Sequence, residues 1–305
     1  MESFLGIEIG GTKLQLVAGD GSGKIAAREK LFVTRQAGAA GIRQQIERVL
    51  PQLVRKHKPA CLGVGFGGPV EWNTGKICRS HQIEGWSEFA LAEWLQSLTG
   101  VPARVDNDAN VAALGEAVCG AGRNSLVVFY VTLGSGVGGG LTIDGCIYHG
   151  ASPGECEIGH VRLDRTGITV ESRCSGWAVD KRIRALAADA PRSLLAQRIS
   201  ESSAGEAQHL AGAVRDGDLG AARILQETAE DLAFGLSHVV HLFHPDLIVL
   251  GGGLAKVGEP LRAAVAAALR NSVMDAFAPG LRLALTALDE DAVPIGALLL
   301  AAKKL

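Results

Sequence analysis

Three groups of residues have the types and spacing that moving a phosphoryl group onto an alcohol requires. The first is Val105-Asp106-Asn107-Asp108-Ala109-Asn110, where carboxylates stand among amides. An alcohol attacking phosphorus needs a carboxylate within hydrogen-bond reach to take its proton, and Asp108 is the candidate base. The same residue precedes a helical pattern, where an aspartate serves equally well as an N-cap, and the hexapeptide leaves both readings open. Asn107 offers a donor and an acceptor to a polyol, and Asp106 is read as structural. The second group is a pair of glycine turns, Ile7-Glu8-Ile9-Gly10-Gly11-Thr12-Lys13 and Leu133-Gly134-Ser135-Gly136-Val137-Gly138-Gly139-Gly140. Without a Cβ, successive N–H groups can converge on a phosphate. The third is Gly154-Glu155-Cys156-Glu157-Ile158-Gly159-His160, in which Glu157 and His160 stand three apart, a spacing that suits gripping neighbouring sugar hydroxyls. With Cys156 the same two side chains would make a sparse metal set, short of the four ligands that structural zinc takes.

These groups need elements to carry them. Each glycine turn joins two strand patterns, residues 4–8 with 14–17 and residues 127–132 with 141–143, and each is followed by a second turn, Asp20-Gly21 and Asp144-Gly145, so the chain reads as internally duplicated. A third strand-to-glycine junction runs from Leu247 into Gly251-Gly252-Gly253. Helical periodicity marks residues 41–56, 89–98, 110–118, 219–243, 260–271 and 294–304, with a further strand at 281–288. Strands alternating with helices predict an α/β fold. The expected division is a first domain over 1–115, completed by the closing helix over 290–305, and a second over 116–289.

Other readings fall away on context. Gly134, Gly136 and Gly139 satisfy a dinucleotide fingerprint, as do Gly63, Gly65 and Gly68, but the first set runs into a strand pattern, Leu141-Thr142-Ile143, where a helix is required. Residues 19–24 imitate a P-loop, yet Ala18 and Ile25 stand at two of its defining positions. His238, His241 and His244 read as the polar edge of a long helix, and the tryptophans as packing residues, with Trp86 in its Gly85-Trp86 turn left open as a sugar platform. Six cysteines without a CxxC pair argue against a zinc ribbon or a disulfide scaffold. With 305 residues, 47% hydrophobic and 20% charged, the composition is that of a globular protein, and a net charge of -2 gives no bulk attraction to nucleic acid or an acidic membrane. A small-molecule partner in the cytoplasm is expected, with no targeting segment.

In this order and spacing the motifs resemble those of the ROK family (repressor, open reading frame, kinase), whose enzymes are ATP-dependent hexose kinases of the actin and sugar-kinase superfamily. The resemblance covers the whole chain. It rests on Glu8 to Lys13, Gly63 to Val70, Asn107 to Asn110, Gly134 to Gly140, Gly154 to His160, Glu171 with Ser175-Gly176, and Pro245 to Gly253. It implies two actin-like, RNase H-like domains with a cleft between them. Asp108 would take the proton of a sugar 6-hydroxyl, and Gly68, Asn107, Glu157, His160 and Glu171 would hold the sugar. Gly10, Gly11, Thr12 and Lys13 with Gly134, Ser135, Gly136, Val137 and Gly138 would hold the phosphates of ATP, Gly252 and Gly253 would lie near the adenosine, and Mg2+ would face Glu8 indirectly. A homodimer is also implied.

The sequence departs from the family pattern in four places. Glu8 replaces an aspartate, Gly67 replaces a proline, and His81-Gln82-Ile83 replaces Pro-Asn-Leu. The stretch from His160 to Glu171 lacks the cysteines of the family's zinc site, so no structural zinc is expected. The leading expectation is a glucokinase-type enzyme acting on glucose or a related hexose or N-acetylhexosamine. A catalytically silent sugar-binding protein is the alternative. A sugar-responsive transcriptional regulator would add an N-terminal helix-turn-helix, for which the turn at residue 10 leaves no room.

Overall fold

Continuous runs of buried residues, rather than alternating ones, mark the central strands, as expected of parallel strands covered on both faces. The computed structural model describes residues 2–78, 83–152, 154, 156–200 and 205–303. His81, Gln82, Glu155 and Lys304, singled out above, lie outside the described residues. The strands in chain order are β1 (Ser3–Ile9), β2 (Lys13–Asp20), β3 (Ile25–Phe32), β4 (Leu62–Phe66), β5 (Val70–Glu71), β6 (Lys76–Ile77), β7 (Phe89–Ala90), β8 (Ala103–Asn107), β9 (Val127–Leu133), β10 (Val137–Ile143), β11 (Cys146–Ile147), β12 (Leu247–Gly251) and β13 (Leu283–Leu285). All five residues of β4 and of β12 are buried, whereas β3 is an edge strand carrying Arg28, Glu29 and Lys30.

The two large sheets run β3-β2-β1-β4-β8 and β11-β10-β9-β12-β13, and a small third one runs β5-β6-β7. In the first, an antiparallel meander of three strands is extended by two parallel ones, and the second has the matching order. The internal duplication read from the glycine turns is therefore a duplication of topology. The helices are α1 (Gly38–His57), α2 (Leu91–Thr99), α3 (Asp108–Cys119), α4 (Val170–Cys174), α5 (Gly176–Asp189), α6 (Leu194–Ser200), α7 (Leu210–Arg215), α8 (Leu219–Phe243), α9 (Glu259–Arg270) and α10 (Ala292–Ala302). Helices α4 to α7 are not among those expected from the periodicity of the sequence. Of these α5 buries only Val179 and Ile183, too narrow an apolar stripe to stand out as periodicity.

Met1–Asn124, Gly140–Glu155 and Ala287–Leu305 form one compact unit, and Ser125–Gly139 with Cys156–Thr286 forms the other. Helix α3, which a boundary at residue 115 would cut, lies whole in the first. There α10 packs on α3, β1 and β4. The approach is backbone to backbone: a Cβ at Gly63 would stand 1.9 Å from the Ala297 carbonyl oxygen, and one at Gly296 would stand 1.8 Å from that of Val111. Close helix packing thus accounts for Gly63, the first glycine of the dinucleotide look-alike. The core of this unit gathers Leu5, Ile7, Ile46, Leu62, Phe66 and Trp86 with their neighbours.

Candidate active site

In the first unit β1, β4 and β8 run parallel, and the residues just past their carboxyl ends are Gly10-Gly11, Gly67-Gly68 and Asp108. Ligands of open parallel sheets bind beyond such ends. The Gly67 N–H donates to the Ile9 carbonyl at 2.9 Å, and a Cβ at Gly67 would lie 3.4 Å from Asp108 Oδ2 and 3.7 Å from Gly10 Cα. The half-buried Asp108 carboxylate therefore sits beside two glycine turns.

The two readings of Asp108 separate here. Asn107, not Asp108, is the N-cap of α3: its side-chain oxygen accepts from the N–H groups of Ala109 at 2.8 Å and Asn110 at 3.3 Å. Asp108 is the first helical residue, and the helix does not depend on it for a cap. Asn107 Nδ2 also donates to the Gly68 carbonyl at 3.1 Å, which links two residues expected at the sugar. With its oxygen committed to the cap, Asn107 has one further amide hydrogen for a polyol instead of a donor and acceptor pair. Trp86, 1% exposed, meets Phe66 edge to face at 5.3 Å and is a packing residue behind these turns.

Glu8 and Gln15 are direct cross-strand partners on β1 and β2. Gln15 is 2% exposed; its Nε2 donates to Glu8 Oε2 at 2.7 Å and its Oε1 accepts from Arg28 Nη1 at 3.1 Å, while Arg28 Nη2 meets Asp291 Oδ1 at 2.5 Å. Burial pushes the Glu8 carboxyl above its ordinary value, and the Lys13 charge and the Gln15 hydrogen bond oppose the rise. Lys13 faces Glu290 at 3.8 Å, with both side chains nearly half exposed, an ion pair of little energetic weight. The sequence named Glu8 but not its supports, since Gln15 and Arg28 are polar residues of no recognisable motif. A carboxylate steadied by an amide N–H is a suitable hard oxygen donor for Mg2+, either directly or through water.

In the second unit β9 and β12 run parallel and end at Gly134 and at Gly252-Gly253. Gly252 has φ 83°, and a Cβ there would lie 2.6 Å from Leu133 N, so the two glycine turns touch. The Gly134 carbonyl accepts from Gly176 N at 2.7 Å, and Ser175 Oγ accepts from Ala178 N at 3.2 Å as the N-cap of α5. The positive end of a 14-residue helix is thereby placed at the turn, a contribution from α5 that the sequence reading missed. A Cβ at Gly253 would meet nothing within 4 Å, and one at Gly134 nothing closer than 4.0 Å. Open backbone beside a helix N-terminus fits an anionic nucleotide.

Only residues 134–136 form the turn. Val137 and Gly138, expected at the phosphates, already belong to β10. Glu171, expected at the sugar, accepts from Val137 N–H at 2.9 Å and crowds Gly136, where a Cβ would lie 2.4 Å from its Oε2. A Cβ at Gly159 would lie 2.1 Å from the Val137 carbonyl oxygen, so the 3-10 turn Ile158–His160 is pressed on the same strand. Ile158 points into the core, while Glu157 and His160 are exposed, and a 3-10 turn places residues three apart on one side. Among the described residues no three His, Cys, Asp or Glu side chains converge to hold a metal ion. His238, His241 and His244 have separate partners: the Phe234 carbonyl, the Met274 N–H and the Phe277 ring.

The sequence pattern of the ROK family matches residues 4–304. The chain belongs to the ROK family. It is 29% identical to a glucokinase of Halalkalibacterium halodurans, over 96% of this chain and 93% of the relative. It is 26% identical to a glucokinase of Thermotoga maritima, over 96% and 95%. Among solved structures, the ROK family glucokinase of Streptomyces griseus in complex with glucose and AMPPNP superposes with a TM-score of 0.86 at 28% identity, covering 98% of this chain and 99% of that one. The fold of this ROK protein is the mixed α/β, actin-like fold of the family's sugar kinases. No helix among its described residues is long and apolar enough to cross a membrane.

Proposed function

We propose that this ROK protein is an ATP-dependent hexose kinase that phosphorylates the 6-hydroxyl of glucose or a related hexose or N-acetylhexosamine. The observation that carries the reading is the Asp108 carboxylate at the carboxyl end of β8, beside Gly67 and Gly10, in a helix whose cap is supplied by Asn107. Asp108 accepts the proton of the sugar hydroxyl as its oxygen bonds to the γ-phosphorus and ADP departs. Gly68, Asn107, Glu157, His160 and Glu171 are assigned to the sugar. Gly10 to Lys13 and Gly134 to Gly138 are assigned to the phosphates, with Gly252 and Gly253 at the adenosine. Mg2+, facing Glu8, would offset phosphate charge. The same reading carries a homodimer in the cytoplasm.

Similarity to glucokinases over nearly the full chain supports this reading. The test is ADP release with ATP and magnesium against glucose, mannose, fructose, N-acetylglucosamine, N-acetylmannosamine and allose. Sugar-dependent release is expected, and Asp108→Ala should lower turnover by about 10² to 10⁴ with much less change in sugar affinity. Sugar binding without transfer from ATP, GTP or polyphosphate would instead identify a silent binding protein.

A further inference from the structure

We propose that His149 is a positioning residue for the base, acting through Asp106; this rests on the reading of Asp108 above. Asp106 is 3% exposed, and a buried carboxylate must be met by donors. Its Oδ1 accepts from the Asn107 N–H at 2.8 Å and from Asn110 Nδ2 at 3.0 Å. Those two donors flank Asp108 in the chain, so one oxygen binds both sides of the strand-to-helix junction that presents the base. The other oxygen meets His149 Nε2 at 2.6 Å. Among the described residues this is the bond of Asp106 that reaches beyond residues 106–110.

His149 is itself held. The Trp72 ring stacks on the imidazole with centroids 4.2 Å apart and planes 15° from parallel, and the neighbouring Tyr148 N–H donates to the Leu141 carbonyl at 2.8 Å. A Cβ at Gly140 would lie 2.5 Å from the Ala109 carbonyl oxygen, so the same segment of chain also abuts the first turn of α3. Removing the imidazole would leave Asp106 Oδ2 desolvated and unmet. The cheapest relief is for that carboxylate to turn toward water, which releases Asn107 and Asn110 and lets the junction shift. A displacement of about 1 Å at a base can cost roughly a hundredfold in rate. Neither His149 nor Asp106 needs to touch substrate for this effect.

The test compares His149→Ala with His149→Gln, whose amide can still donate to Asp106, in the full chain. Alanine is expected to lower kcat roughly ten- to hundredfold, with KM for sugar and ATP within about threefold, glutamine to restore most of it, and amide exchange to quicken selectively at residues 106–110. If the alanine variant fails to fold, His149→Asn, one methylene shorter, replaces it. Unchanged kcat, a loss carried by KM, equal losses in alanine and glutamine variants, or undisturbed exchange at 106–110 would overturn the proposal. A wild-type protein without sugar-dependent ADP release would defeat the kinase reading and the base; the exchange measurement would then decide whether His149 holds the junction.

Discussion

Replacing Gln15 by methionine removes the hydrogen bonds of a side chain that is 2% exposed while nearly conserving its volume. The Glu8 carboxylate loses a donor at 2.7 Å that water cannot easily replace, and a hydrogen bond to a charged group contributes about 1.5–3 kcal/mol. Arg28 retains Asp291 and is partly exposed, so its share is at most a few tenths of a kcal/mol. A total near 2–3 kcal/mol predicts a Tm lowered by about 5–10 °C for units of this size. The effect should depend on pH. Burial holds the folded-state Glu8 carboxyl above its unfolded value, so the unfolded chain ionises first as pH rises. This contribution to stability is greatest below the unfolded value, declines between the two values and is flat above the folded one. The cost of Gln15→Met should accordingly be larger at a pH above the folded-state value, where Glu8 is charged, than at one below the unfolded value, where a protonated carboxyl loses only a neutral hydrogen bond. Glu8→Gln should remove the decline and shrink the cost of Gln15→Met. Thermal unfolding of the four proteins at both pH values measures this. Equal costs at both pH values, undiminished in the Glu8→Gln background, would refute the account.

Three further outcomes are expected. Gly253→Ala should leave Tm nearly unchanged but weaken ATP binding by calorimetry, because its Cβ enters open space, whereas Gly252→Ala, at positive φ and 2.6 Å from Leu133 N, should cost about 1–3 kcal/mol in unfolding experiments. Asn107→Ala should destabilise by about 1 kcal/mol in denaturant titration, the usual worth of an N-cap, in addition to any effect on catalysis. Burial pushes the Cys174 thiol up to about 12, so alkylation followed by mass spectrometry at about pH 8 should label the exposed Cys146 well before it.

Residue type and local spacing alone carry the expectation of phosphoryl transfer in this chain: a carboxylate before a helix, glycines after strands, a glutamate and a histidine three apart. Those are short-range facts, set by which backbones can turn and which side chains can accept a proton. The α/β alternation and the duplication were legible for the same reason, since each strand and glycine turn announces itself within ten residues. Tertiary structure decided which of two adjacent polar residues caps α3, because the Asn107 oxygen is aimed at the Ala109 and Asn110 N–H groups while Asp108 is turned toward Gly67. It also decided the supports. Gln15 meets Glu8 through hairpin register, Glu171 meets Val137 across 34 residues, and His149 meets Asp106 across 43. Such pairings leave no local trace in the sequence: a buried charge requires a donor, but which residue supplies it depends on the order in which distant strands lie side by side.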